Sequence, residues 1–345
     1  MGKRIFITGG SGCIGHYVIE QLAANPAHEL FVLVRDRAKL RADLADLANV
    51  TVLQGDLKRI HQFADLLKTV QVAIAIATAW GGADTFDVNV VKTQALMELL
   101  DPQVCEQVLY FSTASILNRD GQLLKEAGQI GTDYIRTKYD FAQRLGKLAI
   151  APKITCLYPT LVLGGGPDGN PASHLTGGIA EVVNYLPLLR WLRADGSFHF
   201  IHAYDIAQVV THLVETPPDG TNPGPRHLVL GNDPLTADQA IAALCTYCGV
   251  KRGWFTIPLS FALANVLIDW FKVQMAAWDR FCMDYRHFTY GHYVNAATYG
   301  RSPHCPRFED VLRLSGVAPG PMGKIPQDLP ETVTDAAAIA APPEP

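Results

Sequence analysis

Short apolar runs alternate with amphipathic stretches over the first 160 residues. Ile5-Phe6-Ile7, Leu30 to Val34, Val50 to Leu53, Val70 to Ala77, Val108 to Phe111 and Ile154 to Tyr158 read as strands buried on both faces. Between them lie helical segments, beginning with Ile14, Val18 and Leu22 on one face at i, i+4 and i+8. This alternation predicts the α/β class, a Rossmann-type doubly wound parallel sheet with a smaller, mainly helical C-terminal substrate lobe. After Tyr158 two Gly/Pro stretches, Gly164 to Asn170 and Thr216 to Pro225, break the rhythm. Helices dominate from Thr236 onward, and one late core strand is expected at His227 to Leu230. The expected organisation is a doubly wound domain over 1–160, whose core also takes segments near 198–215 and 226–231. A substrate lobe follows over most of 161–316. The Pro/Ala-rich stretch 317–345 has no periodicity and reads as a disordered tail.

Composition narrows the classes. Of 345 residues 48% are hydrophobic and 18% charged, which is ample material for a core. Lys and Arg number 29 against 33 Asp and Glu, with no basic run, so nucleic acid is excluded as the main partner. The 7 cysteines are scattered, and Ile5-Phe6-Ile7 is too short for a secretory core, so a reducing, cytoplasmic compartment is expected. Cys245 and Cys248 have CxxC spacing, but no second pair or nearby His pair completes a zinc site. Two buried thiols one helical turn apart are expected there, and no metal. Gly253 to Ile268 carries no charge but falls short of the roughly 20 residues that span a bilayer. A helix packed on the lobe is the expected form of this stretch. The alternative is a patch through 254–271 that touches a membrane peripherally or lines a pocket for a lipophilic substrate.

Strand Ile5-Phe6-Ile7 runs directly into Thr8-Gly9-Gly10-Ser11-Gly12-Cys13-Ile14-Gly15. A tight turn, close backbone approach to a pyrophosphate and tight helix packing each require a glycine, and this spacing supplies three. The helix that follows offers unpaired N–H groups and a positive dipole end to phosphates. The second strand ends Val34-Arg35-Asp36-Arg37, with Lys39 close behind. Arg35 can fork onto a ribose 2′-phosphate, which favours NADP(H) over NAD(H), while Asp36 could instead take a ribose hydroxyl. Asp56, ending the third strand with Leu57 behind it, can accept from an adenine amino group or cap the next helix.

Tyr134 and Lys138 share a helix face at i, i+4 within a helical stretch, Tyr134 to Leu148. A phenol titrating near 10 is a poor acid–base group at neutral pH, and a cation one turn away is expected to lower that pKa. Strand Val108 to Phe111 delivers Ser112-Thr113-Ala114-Ser115 to the carboxyl edge of the sheet, where a hydroxyl can share charge on a reacting oxygen. Tyr247 and Lys251 repeat the YxxxK spacing, but Gly249 interrupts their helix and no strand-end hydroxyl precedes them.

In this order the motifs resemble the extended short-chain dehydrogenases/reductases, the NAD-dependent epimerase/dehydratase family. Within it the chain looks most like the NADP-dependent dihydroflavonol-reductase-like group. Val34-Arg35-Asp36, Ala77-Thr78, Asn89-Val90, Pro159 to Gly164, Phe200 to Asp205 and Asn295 to Gly300 carry the likeness over roughly residues 3 to 316. The resemblance implies Tyr134 as proton donor, Lys138 as its partner and Thr113 as the hydroxyl that orients a carbonyl. It implies a cofactor lined by Gly9, Gly12, Cys13, Ile14, Arg35, Asp56, Leu57, Ala77, Thr78, Tyr134, Lys138, Pro159 and Leu161. Ala114-Ser115 replaces the Asp-Glu pair that sugar-nucleotide dehydratases use for elimination, and Tyr158 replaces an arginine that many epimerases carry.

The expected activity is NADPH-dependent reduction of an apolar or aromatic ketone or aldehyde, reversible as alcohol oxidation. Trp80, Ser115, Asn118, Tyr158, His174 and His199 are candidates for the substrate pocket. His202 is expected to be structural, and Trp191 serves as well for packing as for a pocket. A sugar-nucleotide or sterol-type epimerase or dehydrogenase holding NAD tightly is the nearest alternative, and a non-catalytic nucleotide-binding regulator the remote one. The resemblance also implies a homodimer through the helices containing Val90 to Leu100 and Tyr134 to Leu148.

Overall fold

The computed structural model describes residues 2–218, 221, 223–260 and 275–320. Strands β1 (Arg4–Thr8), β2 (Glu29–Val34), β3 (Val50–Gln54), β4 (Val72–Ala75), β5 (Gln107–Phe111) and β6 (Ile154–Pro159) follow the predicted order. After them come β7 (Leu161–Leu163), β8 (Phe200–His202) and β9 (Arg226–Leu230). A seven-stranded sheet runs β9-β6-β5-β4-β1-β2-β3 with every adjacent pair parallel, the doubly wound order. The strand predicted over Val70 to Ala77 is shorter. Its last residues leave the ladder because Ala77 turns across Gly9, where its N–H reaches the Thr8 hydroxyl at 3.3 Å.

Alternation along the strands sorts the core into two slabs. Ile5 and Ile7 pack with Val18 and Leu22 of α1 (Cys13–Ala23) and with Ile206 and Val210 of a later helix, Ala203–Glu215. Phe6 faces the other way, into the slab with Tyr110, and with Phe141 and Leu145 of α2 (Asp133–Leu145). Each fully buried Val, Ile, Leu or Phe contributes roughly 2 kcal/mol, so these slabs dominate the stability of the sheet.

The lobe is built from smaller pieces. Helices α3 (His174–Asn184), α4 (Ala203–Glu215) and α5 (Ala237–Tyr247) are its main elements, with α4 shared with the sheet. Val183, Leu186, Leu244, Cys245, Cys248 and Leu312 form one apolar cluster, in which both cysteines are buried free thiols as expected. The carboxylate of Asp205, wholly buried, accepts the backbone N–H groups of His304 at 2.6 Å and Cys305 at 3.1 Å. It thereby fastens the end of the lobe to α4.

Two expectations about the lobe change. The described part of the uncharged stretch is extended, not helical: Ile257–Pro258 pairs in parallel with Leu192–Arg193, and the Ile257 N–H donates to the Trp191 carbonyl at 2.7 Å. The proline and the aromatics beside it fit a ribbon better than a helix. Residues 261–271 of that stretch lie outside the described residues. The first residues of the expected tail are held, since the Gly320 N–H donates to the Tyr247 carbonyl at 3.0 Å and the Val317 carbonyl accepts from the Tyr247 hydroxyl at 2.9 Å. Residues 321–345 lie outside the described residues. Among the described residues no helix is long and apolar enough to cross a membrane.

Candidate active site

The glycine-rich turn divides its labour as a pyrophosphate site requires. Gly9 sits at φ 75°, and a Cβ there would fall 2.6 Å from the backbone N of Ala77. Over Gly12, the N-cap of α1, a Cβ would meet nothing nearer than the Gly9 carbonyl at 3.5 Å, so the space above the first turn is open. A Cβ at Gly15 would lie 2.3 Å from that same carbonyl, so the helix sits directly on the turn. Cys13 and Ile14 are half-buried in the first turn. Burial, and then the nearby Asp168 carboxylate, push the Cys13 thiol up to about 12, which makes it packing and not a nucleophile.

Across the switch point, Ala77 and Thr78 leave β4 under the control of a buried amide. Asn89 accepts from the Thr78 hydroxyl at 3.0 Å and the Ala79 N–H at 2.8 Å. Its own amide donates to the Ala79 carbonyl at 2.8 Å and the Thr137 hydroxyl of α2 at 3.0 Å. Sequence reasoning noticed Asn89 only as part of a matching dipeptide. Its four-way role was hidden because Thr137 is distant in sequence.

At the ends of β2 and β3 the charges differ in their commitments. The side chains of Arg35 and Lys39 are exposed, with no hydrogen bond or ion pair among the described residues. Arg37 pairs with Asp46 at 3.1 Å, and one Asp36 oxygen accepts the Ala38 N–H at 3.0 Å. Asp56 does cap, accepting the Lys58 N–H at 2.8 Å, with Leu57 buried behind it. A cavity of about 740 Å³ opens between the Arg37–Ala42 segment, His16 and Pro171. A second, of about 310 Å³, lies at Gln54, Asp56, Arg59 and Gln62.

Thr113, Tyr134 and Lys138 converge where β5 ends. Thr113 opens a short turn, its hydroxyl accepting the Ser115 N–H at 3.3 Å and donating to the Ser115 Oγ at the same distance. Lys138 is buried, and its Nζ donates to the Phe111 carbonyl at 2.7 Å, 5.9 Å from the centre of the Tyr134 ring. Burial brings the amine down to about 7. The same burial raises Tyr134 to about 12, opposed by a hydrogen bond to Thr113. The expected lowering of the phenol by Lys138 is therefore absent in this conformation: the amine is aimed at a carbonyl and is itself only weakly held in its charged form. Trp80 lies against Tyr134, ring centres 4.3 Å apart and 30° from parallel, and His174 meets the Trp80 edge at 5.0 Å. The position after Thr113 is Ala114, buried, with its carbonyl accepting from the Tyr290 hydroxyl at 2.7 Å.

Three candidates lie elsewhere in role. Tyr158 is core, its hydroxyl 2.9 Å from His227 Nδ1 on the neighbouring strand β9, because the β6 side chain points into a slab and not over the edge. His199 is wholly buried, with Nδ1 2.6 Å from the Asn232 carbonyl and Nε2 accepting the Tyr290 N–H at 3.0 Å, so both ring nitrogens are engaged. Asn118 closes its own turn by accepting from Asp120 and Gln122. His202 caps α4 through Nδ1, 3.1 Å from the Tyr204 N–H, the structural part expected of it. Pro159 is buried at the end of β6 and Leu161 is exposed two residues later. Tyr247 ends α5 and Lys251 is exposed beyond it, so the second YxxxK is no pair. Among the described residues no group of three or more His, Cys, Asp or Glu is placed to hold a metal ion.

The profile described as "NAD dependent epimerase/dehydratase family" matches residues 5–231. No curated protein matches the chain in sequence. Solved structures resemble it along nearly its whole length. WbmG of Bordetella bronchiseptica, in complex with NAD and UDP, is 16% identical with a TM-score of 0.61, covering 92% of this chain and 97% of its own. The dTDP-glucose 4,6-dehydratase of Bacillus anthracis, in complex with NAD, is 12% identical at 0.59, covering 91% and 96%. The UDP-glucuronic acid 4-epimerase of Bacillus cereus, a variant bound to a fluorinated UDP-sugar and NAD, is 16% identical at 0.59, covering 91% and 98%. At such identities the likeness establishes a common fold.

Proposed function

Because the chain belongs to the NAD-dependent epimerase/dehydratase family, and so is an oxidoreductase-type enzyme with a nicotinamide cofactor, we propose that it reduces the carbonyl of an apolar or aromatic ketone or aldehyde with NADPH. One observation carries this reading. At the end of β5 a hydroxyl (Thr113), a phenol (Tyr134) and a buried amine (Lys138) come together, and the adjoining position is alanine where an eliminating enzyme needs a carboxylate. The bound nicotinamide supplies a hydride. Thr113 and Tyr134 hold the carbonyl oxygen, and Tyr134 delivers its proton as charge builds there. Lys138, 5.9 Å from the centre of the Tyr134 ring, turns from the Phe111 carbonyl to support the phenolate left behind and to hold the cofactor ribose. The flat face of Trp80 beside Tyr134 favours a substrate with an aromatic or apolar group next to its carbonyl.

Arg35, exposed and unpaired, supports NADP(H), and Asp36 is partly committed to its own turn. Asp56 keeps a second oxygen for an adenine amino group. Phe86 and Val91, both exposed beside α2, provide apolar surface for a homodimer. The resemblance to an NAD-bound UDP-glucuronic acid 4-epimerase favours a second reading, an epimerase that retains its cofactor through turnover. Denaturing the purified protein and identifying what it releases by mass spectrometry separates the two. Loosely held or absent NADP(H), together with NADPH oxidation on aromatic aldehydes or ketones, is the expected result. Stoichiometric NAD+ and no NADPH consumption would overturn the reductase.

A further inference from the structure

The exposed large apolar side chains are unevenly distributed. Val182, Tyr185, Leu188, Trp254, Phe255 and Ile257 fall together at one end of the lobe, where Trp254 is 88% and Leu188 53% exposed. They lie on adjoining segments. Val182, Tyr185 and Leu188 recur at i, i+3 and i+6 along α3 and the turn after it. The Leu188 carbonyl accepts the Trp191 N–H at 3.1 Å, and the Trp191 ring packs on Phe255 at 5.1 Å, which in turn packs on Trp254 at 4.7 Å. The ribbon 192–193 with 257–258 then places Ile257 beside them.

A patch this large on a soluble fold marks an interaction surface, and its surrounding charge says which kind. Arg193 and Lys251 are exposed at its rim, and their side chains have no hydrogen bond or ion pair among the described residues. Arg190 lies over the Trp191 ring, 4.7 Å from its centre. The nearby acids are already engaged: Asp238 with Arg252 at 2.5 Å and Asp195 with Arg286 at 2.9 Å, which leaves Glu181 as the opposing exposed carboxylate of this stretch. Indole and phenyl groups beside unpaired cations match the interfacial zone of an anionic bilayer, which takes aromatic rings at headgroup depth and attracts Lys and Arg.

We propose that this face docks peripherally on an anionic lipid surface. The dock is connected to the reaction site by one helix. His174, beside Trp80, opens α3, and Val182 lies eight residues on, about 12 Å along the axis at the usual helical rise.

The test is sedimentation of the full chain with vesicles of phosphatidylcholine alone and of phosphatidylcholine with phosphatidylglycerol. The chain is expected to pellet with the anionic vesicles and to be released by salt, since exposed charges are screened within about 8 Å at physiological ionic strength. The double variant W254S/L188S should lose about tenfold or more in partitioning, since it removes two exposed apolar anchors. The variant R193E/K251E should lose about tenfold on anionic vesicles only. Equal melting temperatures of the variants and the parent check folding, as all four positions are exposed. Failure to pellet, or pelleting that neither variant reduces, overturns the proposal. So does light scattering in which W254S/L188S dissolves an oligomer, because the face would then join two copies of the chain.

Discussion

Arg35 and His199 show how differently two regions of this molecule use a polar side chain. At the carboxyl edge of the sheet, Arg35 and Lys39 are exposed and uncommitted, and the surface above Gly12 is open. In the lobe, His199 is wholly buried with both ring nitrogens bonded, His202 caps a helix, and Asp205 holds two backbone amides. Polar groups without partners indicate where a ligand belongs, whereas fully bonded buried groups indicate what fixes the shape. A histidine-rich lobe therefore does not make a histidine-dependent reaction. The proposed chemistry rests instead on Thr113, Tyr134 and Lys138 at the sheet edge, while His199 and His202 hold the frame.

That contrast breaks most visibly at Tyr134. Tyr134→Phe removes one proton donor and leaves the ring against Trp80, so turnover should fall by about 10³ while cofactor affinity stays within a factor of about two. Steady-state rates and a cofactor titration on the same sample decide it. Comparable losses in both would make Tyr134 a binding residue. His199→Ala is the converse experiment. It leaves the Tyr290 N–H and the Asn232 carbonyl unbonded in a buried space and should cost about 3 kcal/mol of stability in denaturant unfolding. Tyr290 reaches the Ala114 carbonyl, so any loss of activity should follow the loss of fold. A variant of normal stability with no turnover would return His199 to the list of reacting groups.

The sheet half was legible in the sequence because its signals are local. Six apolar runs, three glycines and an i, i+4 pair each read within a few residues, and the strands deviate by little more than the shortened end of β4. The roles of several site candidates were not, because those side chains act through distant partners. Tyr158 resembled a pocket residue by position before Pro159, yet its hydroxyl belongs to His227. His199 offered a reactive group but no indication of Asn232 or Tyr290, 33 and 91 positions away. In Gly253 to Ser260, the described part of the uncharged stretch, hydrophobicity suggests a helix, whereas the pairing of Ile257 with Leu192 that makes a ribbon there crosses 65 positions.

His202 sharpens the contrast in a pH titration. Burial, and then the His304 imidazole beside it, lower its pKa to about 4 from the ordinary 6.5. The folded state thus resists protonation that the unfolded chain accepts between those values. Stability from this group is fully present above pH 6.5 and is lost as pH falls toward 4, by at most about 3 kcal/mol. His202→Asn keeps an acceptor for the Tyr204 N–H and removes the titration. Its unfolding free energy should fall less steeply than the parent's across that window, and parallel curves would show that His202 titrates unperturbed.

The smallest expected effect concerns the exposed end of β2. Arg35→Ala deletes an exposed side chain with no hydrogen bond or ion pair among the described residues, so the melting temperature should not move. Its consequence is confined to discrimination between cofactors. A guanidinium on a 2′-phosphate at a solvent-exposed edge is worth about 1–2 kcal/mol, so NADPH should weaken about tenfold or somewhat more while NADH is unchanged. Arg37 cannot substitute without giving up Asp46, but Lys39 can supply a point charge, and the double variant R35A/K39A should widen the loss for NADPH alone. Equal weakening of both cofactors would mean that Arg35 acts on the part they share, and Asp36 would then be the better candidate for reading the ribose. Restoring NADPH binding with Arg35→Lys only partly, with the same salt dependence, would show that planar, two-pronged contact and not charge alone sets the preference at this edge.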